Sequence, residues 1–298
     1  MQIGLNVMGT ESLFGGDVGG VLDMVALADR KGIDLISISD HLGFSKQAHA
    51  TRRETHKFPF VLEQPWYEPI SFLSAAAALT KRVRLSTFVL IAPLRPALLL
   101  AKQLATLDVI SKGRVTIALG VGWQEPEFKA GGMAFEGRFG DLEDIIGALR
   151  ALWGPPPAKA KGRAFEFEDF YSLPAPVQGA DLPILLGFNP SLKNLDRIAR
   201  LAQGWAMDPA HRATFAENVK ELRGLYVQHG RDPSKMEVHV GQGMVRSADG
   251  AIDWAGIKAG ARASEAEGAT TVSLRVADFC STSADIEPFL DHAVGLKA

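Results

Sequence analysis

Ser39-Asp40-His41 places an imidazole that titrates near neutral pH next in sequence to a carboxylate, at the end of the apolar run 35–39. His41 could therefore take or return a proton. Alternatively, Asp40 caps backbone at the strand end and His41 is a satisfied polar residue. Neighbouring side chains on a strand point to opposite faces, so Asp40 need not touch His41. Trp123 is the second candidate. It follows the small-residue tip Gly120-Val121-Gly122 and could stack on or wall off a planar ligand, or pack its own loop. Other chemistries find no support. Cys280 is the lone cysteine, which excludes an intrachain disulfide and a Cys-x-x-Cys redox pair. His49 and His56 lack metal-ligand spacing, no H-E-x-x-H occurs, and no Walker A loop or G-x-G-x-x-G is present. A metal site is not expected.

The elements that must position these residues alternate along the whole chain. Residues 83–123 contain an apolar strand, a loop with Pro93 and Pro96, a helix stopped at Gly113, and a second apolar strand ending in Gly120 and Gly122. This is a βαβ unit, and its near-continuous apolar strands imply a parallel sheet covered by helices. Further strands are predicted at 3–7, 35–39, 183–186, 205–207, 237–240 and 271–276. Helices are predicted from the Gly-rich turn to Lys31, then from Pro69, and over 139–153, 192–203, 211–229, 251–267 and 283–295. Eight strands each followed by a helix predict an α/β fold, a single closed (β/α)8 TIM barrel over residues 1–298 with loop insertions. The insertions fall at 43–67, 123–138 and 155–180, the last a loop or small hairpin. Loops of this length usually close over a site.

Barrel chemistry sits at the C-terminal ends of the strands. The tips predicted to converge there are Ser39-Asp40-His41, Thr87-Phe88-Val89, Gly120 to Trp123, and Gly187-Phe188-Asn189. A formal charge of −2 with dispersed Lys and Arg gives no footprint for nucleic acid. No apolar run reaches membrane-spanning length, and the N-terminal MQIGLNVMG lacks the features of a signal peptide. A soluble protein of the reducing cytoplasm, without nucleic-acid or membrane partners, is the expectation.

Ser39-Asp40-His41, Glu68-Pro69, the stretch RLSTFVLIAPLRPALLLAKQLATLDVISKGRVTIALGVGW, and Glu127-Phe128, Gly131, Phe135 and Arg138 resemble the bacterial luciferase-like family, especially its coenzyme F420 oxidoreductase branch. The resemblance implies a barrel binding FMN or the deazaflavin coenzyme F420, the latter slightly favoured, with the ring against strands two to four. It implies a flavin- or deazaflavin-dependent oxidoreductase or monooxygenase acting on a small organic molecule. His41 and Trp123 would border the reacting face, and Asp40, Ser86, Thr87, Phe88, Val89, Gly120 and Gly122 would line the ring. Gly187, Phe188, Asn189 and Ser191 would meet the phosphate side, where a helix N-terminus offers N–H groups. Family members often hold a non-proline cis peptide bond at the end of strand three, here between Phe88 and Val89. They are commonly homodimers, and an FMN enzyme would draw on a separate flavin reductase. A non-catalytic flavin-binding relative and, less favoured, a metal-dependent barrel hydrolase are the alternatives.

This chain departs from the family pattern at Gly187-Phe188-Asn189-Pro190-Ser191, where a Gly-Gly pair is usual. It also has Trp123 where the sugar-phosphate dehydrogenases of the family carry a catalytic Glu, and Ala202-Gln203-Gly204-Trp205 in place of Gly-Asp-Gly-Trp. His49, His56, Arg52, Arg53 and Lys57 read as residues of a solvated loop. Asp108 and Arg114 read as structural, Arg138 and Glu143 as an ion pair at a helix start, and Cys280 as a buried small residue.

Overall fold

The structure is a computed structural model that describes residues 1–56 and 58–297. Its first half runs β1 (Gln2–Asn6), α1 (Val18–Lys31), β2 (Leu35–Ile38), α2 (Lys46–Thr55), α3 (Pro69–Leu79), β3 (Arg84–Thr87), β4 (Leu90–Ile91), α4 (Ala97–Ser111), β5 (Ile117–Gly120), α5 (Glu125–Ala130) and α6 (Arg138–Trp153). A hairpin, β6 (Ala158–Lys161) and β7 (Glu166–Phe170), then leads to β8 (Ile184–Leu186), α7 (Leu192–Leu201), β9 (Gly204–Ala206) and α8 (Phe215–Gln228). The chain ends with β10 (Glu237–Gly241), α9 (Trp254–Ala266), β11 (Thr271–Arg275), α10 (Val276–Phe279) and α11 (Ile286–Gly295).

Nine strands form one sheet in the order β3-β2-β1-β11-β10-β9-β8-β5-β4, parallel throughout. The two strands at its ends, β3 and β4, are two pieces of one strand separated by Phe88 and Val89. Leu85 bridges in parallel to Val115, so the lower half of this strand also reaches the segment leading into β5. The sheet thereby closes on itself with eight strand positions, as the alternation predicts. Closure leaves no exposed edge, and buried strands such as Leu35–Ile38 need no polar face. The peptide bond between Phe88 and Val89 is cis, at the position implied by the family resemblance.

The interruption of strand three dictates two glycines on its neighbours. Val89 packs inside the barrel with Phe88, Ala118, Leu185 and Ala206. A Cβ at Gly120 would lie 2.6 Å from one Val89 methyl, and a Cβ at Gly187 would lie 2.5 Å from the other. The space at both glycines is therefore filled by Val89, not held open along the strand tips. Valine is stiff at χ1 and has no cheap alternative rotamer. Gly120→Ala is expected to destabilise the protein by about 1–3 kcal/mol, and adding Val89→Ala should recover most of that loss. Chemical denaturation of the single and double variants tests this. Equal losses in both would mean that the two positions do not compete for space.

The opposite end of the barrel is closed by a polar network. Arg84 donates to both Glu237 carboxylate oxygens at 3.0 and 2.9 Å, and His239 Nε2 lies 3.1 Å from the same group. Burial opposes the charge on Glu237, but His239 and Arg84 outweigh it and hold its pKa at about 2. No helix among the described residues is long and apolar enough to cross a membrane.

Candidate active site

His41, just beyond β2, lies buried at the C-terminal end of the barrel with both ring nitrogens engaged. Nδ1 is 2.8 Å from Glu127 Oε2, and Trp123 Nε1–H donates to Nε2 at 3.1 Å. An indole N–H can only donate, so Nε2 carries the lone pair and Nδ1 carries the proton given to Glu127. Glu127 also accepts from the amide of Leu42 at 2.6 Å and from Gln124 Nε2 at 3.2 Å. Burial works against its charge, but the His41 ring, the Leu42 amide and Gln124 hold its carboxyl below the usual glutamate range. Carboxylate, imidazole and indole thus form a line that fixes the imidazole tautomer.

Asp40 points elsewhere, as strand alternation allows. Its two oxygens accept from Arg95 Nη1 and Nη2 at 2.7 and 3.1 Å, and one also accepts from the Ile91 amide at 2.9 Å. Arg95 reaches Glu68 at 3.1 Å as well. This buried fork ties the end of β2 to β4 and to the start of α3. It engages both oxygens of Asp40 with protein donors, where the family resemblance implied a cofactor contact. Ser39 Oγ donates to the Phe88 carbonyl at 3.0 Å, and Thr87 Oγ1 donates to the Ala118 carbonyl at 2.6 Å, so the break in strand three is braced from both sides. Ser86 Oγ is likewise spent, on the Thr87 carbonyl.

The described residues of the 43–67 segment cross the mouth as a lid. Gln124 stitches its start to the loop after β5, accepting from the Ser45 amide at 2.7 Å and donating to the Gly43 carbonyl at 2.8 Å. Farther along, Arg275 at the end of β11 sits 5.1 Å over the Phe60 ring, and Gln64 bonds Glu11 beyond β1. From this segment Phe44 and Trp66, together with Trp123, pack tilted or edge-on against His41, and Phe58 and Phe60 extend the same cluster. An aromatic cluster of this kind offers faces and edges against which a planar ring can pack. Two buried donors within it, Arg52 Nε and Trp66 Nε1, have no hydrogen-bond partner. A cis-bonded break in strand three, an imidazole held at the mouth and an aromatic lid with unmet donors coincide with a sequence match. Residues 2–288 match the profile of the luciferase-like monooxygenases. The chain belongs to the luciferase-like monooxygenase family.

Solved structures share the luciferase-like barrel. A monooxygenase from Streptomyces bottropensis superposes with a TM-score of 0.79 at 21% identity over 100% of both chains. A coenzyme F420-dependent tetrahydromethanopterin reductase from Methanopyrus kandleri gives 0.77 at 14% identity over 99% of this chain and 98% of that one. Among curated relatives, an uncharacterized protein of Mycobacterium tuberculosis is 36% identical over 168 residues, 56% of this chain and 57% of its own length. An FMNH2-dependent dimethylsulfone monooxygenase of Pseudomonas fluorescens is 31% identical over 114 residues, 37% and 31% of the two chains. The chain thus matches little more than half the length of the first of these curated relatives.

Within this luciferase-like frame several sequence expectations are corrected. Gly122 sits at a φ of 70°, and a Cβ there would meet Ile91 and Phe128 at 2.8 Å, so it serves a turn and internal packing. Ser191 caps α7, accepting from the Asn194 amide at 3.3 Å, while its own N–H goes to the Asn189 carbonyl; that amide is not free for a phosphate. Phe188 is buried against Phe139, and Asn189 is exposed with its side chain 3.1 Å from His211. Glu143 pairs with Arg197 and Arg200 of α7, whereas Arg138 donates to the Gly122 and Phe135 carbonyls. His49 is buried in the lid, 3.1 Å from the Phe60 carbonyl, and Arg52 is half-buried 5.0 Å over Trp123. Arg53 and His56 are exposed; Lys57 lies outside the described residues.

Other readings stand. Asp108 accepts from Gln178, and Arg114 donates to carbonyls of the α3 region. Cys280 is buried, its thiol pushed up to about 12 by burial and Asp285, which makes it a poor nucleophile. Gln203, where the family has an acidic residue, accepts from the Ile184 amide and Arg150. Glu127 and Arg95 are the functional residues that the residue types alone did not single out.

Proposed function

We propose that this chain is a flavin- or deazaflavin-dependent oxidoreductase whose cofactor ring lies at the barrel mouth, with coenzyme F420 slightly favoured over FMN. The observation that carries the reading is His41, held between Glu127 and Trp123 beside the break in strand three and beneath an aromatic lid. The residues present fit such a group. The mouth residues are aromatic, and the unpartnered Trp66 Nε1 among them is a donor suited to the carbonyl edge of a ring. When bound, either cofactor supplies two-electron transfer, and FMN adds reactivity with oxygen.

The chain's own residues supply the rest. Glu127 keeps the proton on His41 Nδ1 and leaves Nε2 as the atom that can accept one. Trp123 covers Nε2 at rest, so a substrate hydroxyl must replace the indole N–H before His41 takes a proton from it. The lid aromatics exclude water while the reacting groups are held together. A small organic substrate entering under the lid completes the site. The F420 preference follows the motif resemblance, and the Methanopyrus reductase supports it. The Pseudomonas monooxygenase supports the FMN alternative, in which a separate reductase would deliver reduced FMN.

Titration of the purified protein with each cofactor, followed by absorbance and fluorescence, tests this. Saturable binding of coenzyme F420 with weaker binding of FMN is expected. Tight FMN binding with no F420 binding reverses the preference, and binding of neither removes the proposal.

A further inference from the structure

We propose that Arg52 recognises a carboxylate on the substrate, so that the substrate class is a small planar organic acid seated between Arg52 and the lid aromatics. The inference rests on the reading of the mouth as the reaction site. Arg52 lies on α2, the helix inside the lid, with its guanidinium 5.0 Å over the Trp123 ring. Trp123 in turn donates to His41, so Arg52 is one residue removed from the proton-carrying imidazole.

Among the described arginines that are not exposed, Arg52 stands apart by its unmet bonding. Arg84, Arg95, Arg197, Arg212 and Arg275 each pair with a carboxylate, and Arg114, Arg150 and Arg231 donate to backbone carbonyls. Arg52 is half-buried, its Nε is fully shielded, and that Nε has no partner. Burial lowers its guanidinium from the ordinary value, and the opposing field comes from Asp208, which makes no ion pair with it among the described residues. A half-buried cation with a shielded, unpartnered Nε, set over an aromatic face and with no carboxylate paired to it among the described residues, is suited to an anion. Trp66 Nε1, in the same aromatic cluster, is a second buried donor without a partner. Both unmet groups ask for acceptors, and the surrounding Phe44, Phe58 and Trp123 rings ask for a flat apolar body. A flat molecule carrying a carboxylate satisfies both demands. An anionic cofactor tail shares the carboxylate or phosphate chemistry, so the test separates the two sources.

Benzoate, its neutral counterpart benzamide and inorganic phosphate are titrated into the cofactor-free protein, with binding read by calorimetry and tryptophan emission. Coenzyme F420 and FMN are titrated separately. Benzoate should bind at least tenfold more tightly than benzamide or phosphate. Arg52→Gln should abolish that advantage, Arg52→Lys should retain most of it, and both should leave cofactor affinity within about twofold and the melting temperature nearly unchanged. Equal benzoate affinity in wild type and R52Q, or equal affinity for benzoate and benzamide, overturns the proposal. So does a tenfold loss of cofactor affinity in R52Q with benzoate unaffected, which would give Arg52 to the cofactor tail. Benzoate selectivity in a protein that binds neither cofactor would uphold the anion site while removing the redox reading.

Discussion

Asparagine in place of Asp40 is expected to cost about 3–5 kcal/mol of stability, on the order of 10 °C in Tm. The Asp40 side chain is fully shielded, and Arg95 is nearly so. Removing the negative charge leaves a buried guanidinium with only Glu68, itself about one-third exposed, to balance it. The Ile91 amide also loses the charged acceptor that fixes β4 against β2. Truncating one member of a buried pair is far more damaging than exchanging the whole pair for apolar residues of equal volume, so the reverse comparison is informative. A joint Asp40→Leu and Arg95→Met replacement should lose less than Asp40→Asn alone. Thermal unfolding of both variants checks this. A D40N protein of normal stability with weakened cofactor binding would return Asp40 to the cofactor-contact role that the family resemblance implies.

Replacing His41 with alanine should lower cofactor-dependent turnover by about a hundredfold or more, the usual consequence of losing a positioned acid or base. Cofactor affinity should stay within a few-fold. The structure adds a second arm. Glu127→Gln preserves shape but removes the charge and one of the two acceptor oxygens shared by His41 and the Leu42 amide, which weakens selection of the Nδ1–H tautomer, so it should lower kcat while leaving KM nearly unchanged. Turnover in folded H41A equal to wild type would assign His41 a packing role among Phe44, Trp66 and Trp123.

These two residues, adjacent in sequence, show what was legible in the chain and what was not. Alternating apolar strands and helices stopped at Gly32, Gly113, Gly230 and Gly268 carry local physics, and the barrel follows from their count. The position of the mouth was legible for the same reason, since parallel strands bring their C-terminal tips together. The partners of the tips were not. Glu127 stands 86 residues from His41, and no local period links them; they meet because the loops after β2 and β5 straddle the interrupted strand three. Asp40 found Arg95 across 55 residues in the same way.

The helix inside the lid was not legible for a different reason. Helix α2, KQAHATRRET, has no apolar stripe, so periodicity is silent, and the Ser45 cap is its one local signal. Its inward members, the buried His49 and the half-buried Arg52, are polar types that solvated loops also carry. The glycines gave a third kind of ambiguity. Small residues at 120 and 187 mean that something comes close, but sequence does not say whether it is a ligand or Val89.

The central claim is that the redox cofactor lies at the mouth beside His41. A crystal structure of the protein with its preferred cofactor tests it most directly. The ring should lie against the Phe88–Val89 break, bordered by His41 and Trp123 and covered by the 43–67 lid. A ring bound away from His41, or a mouth still filled by the lid aromatics with the cofactor elsewhere on the barrel, would contradict the account.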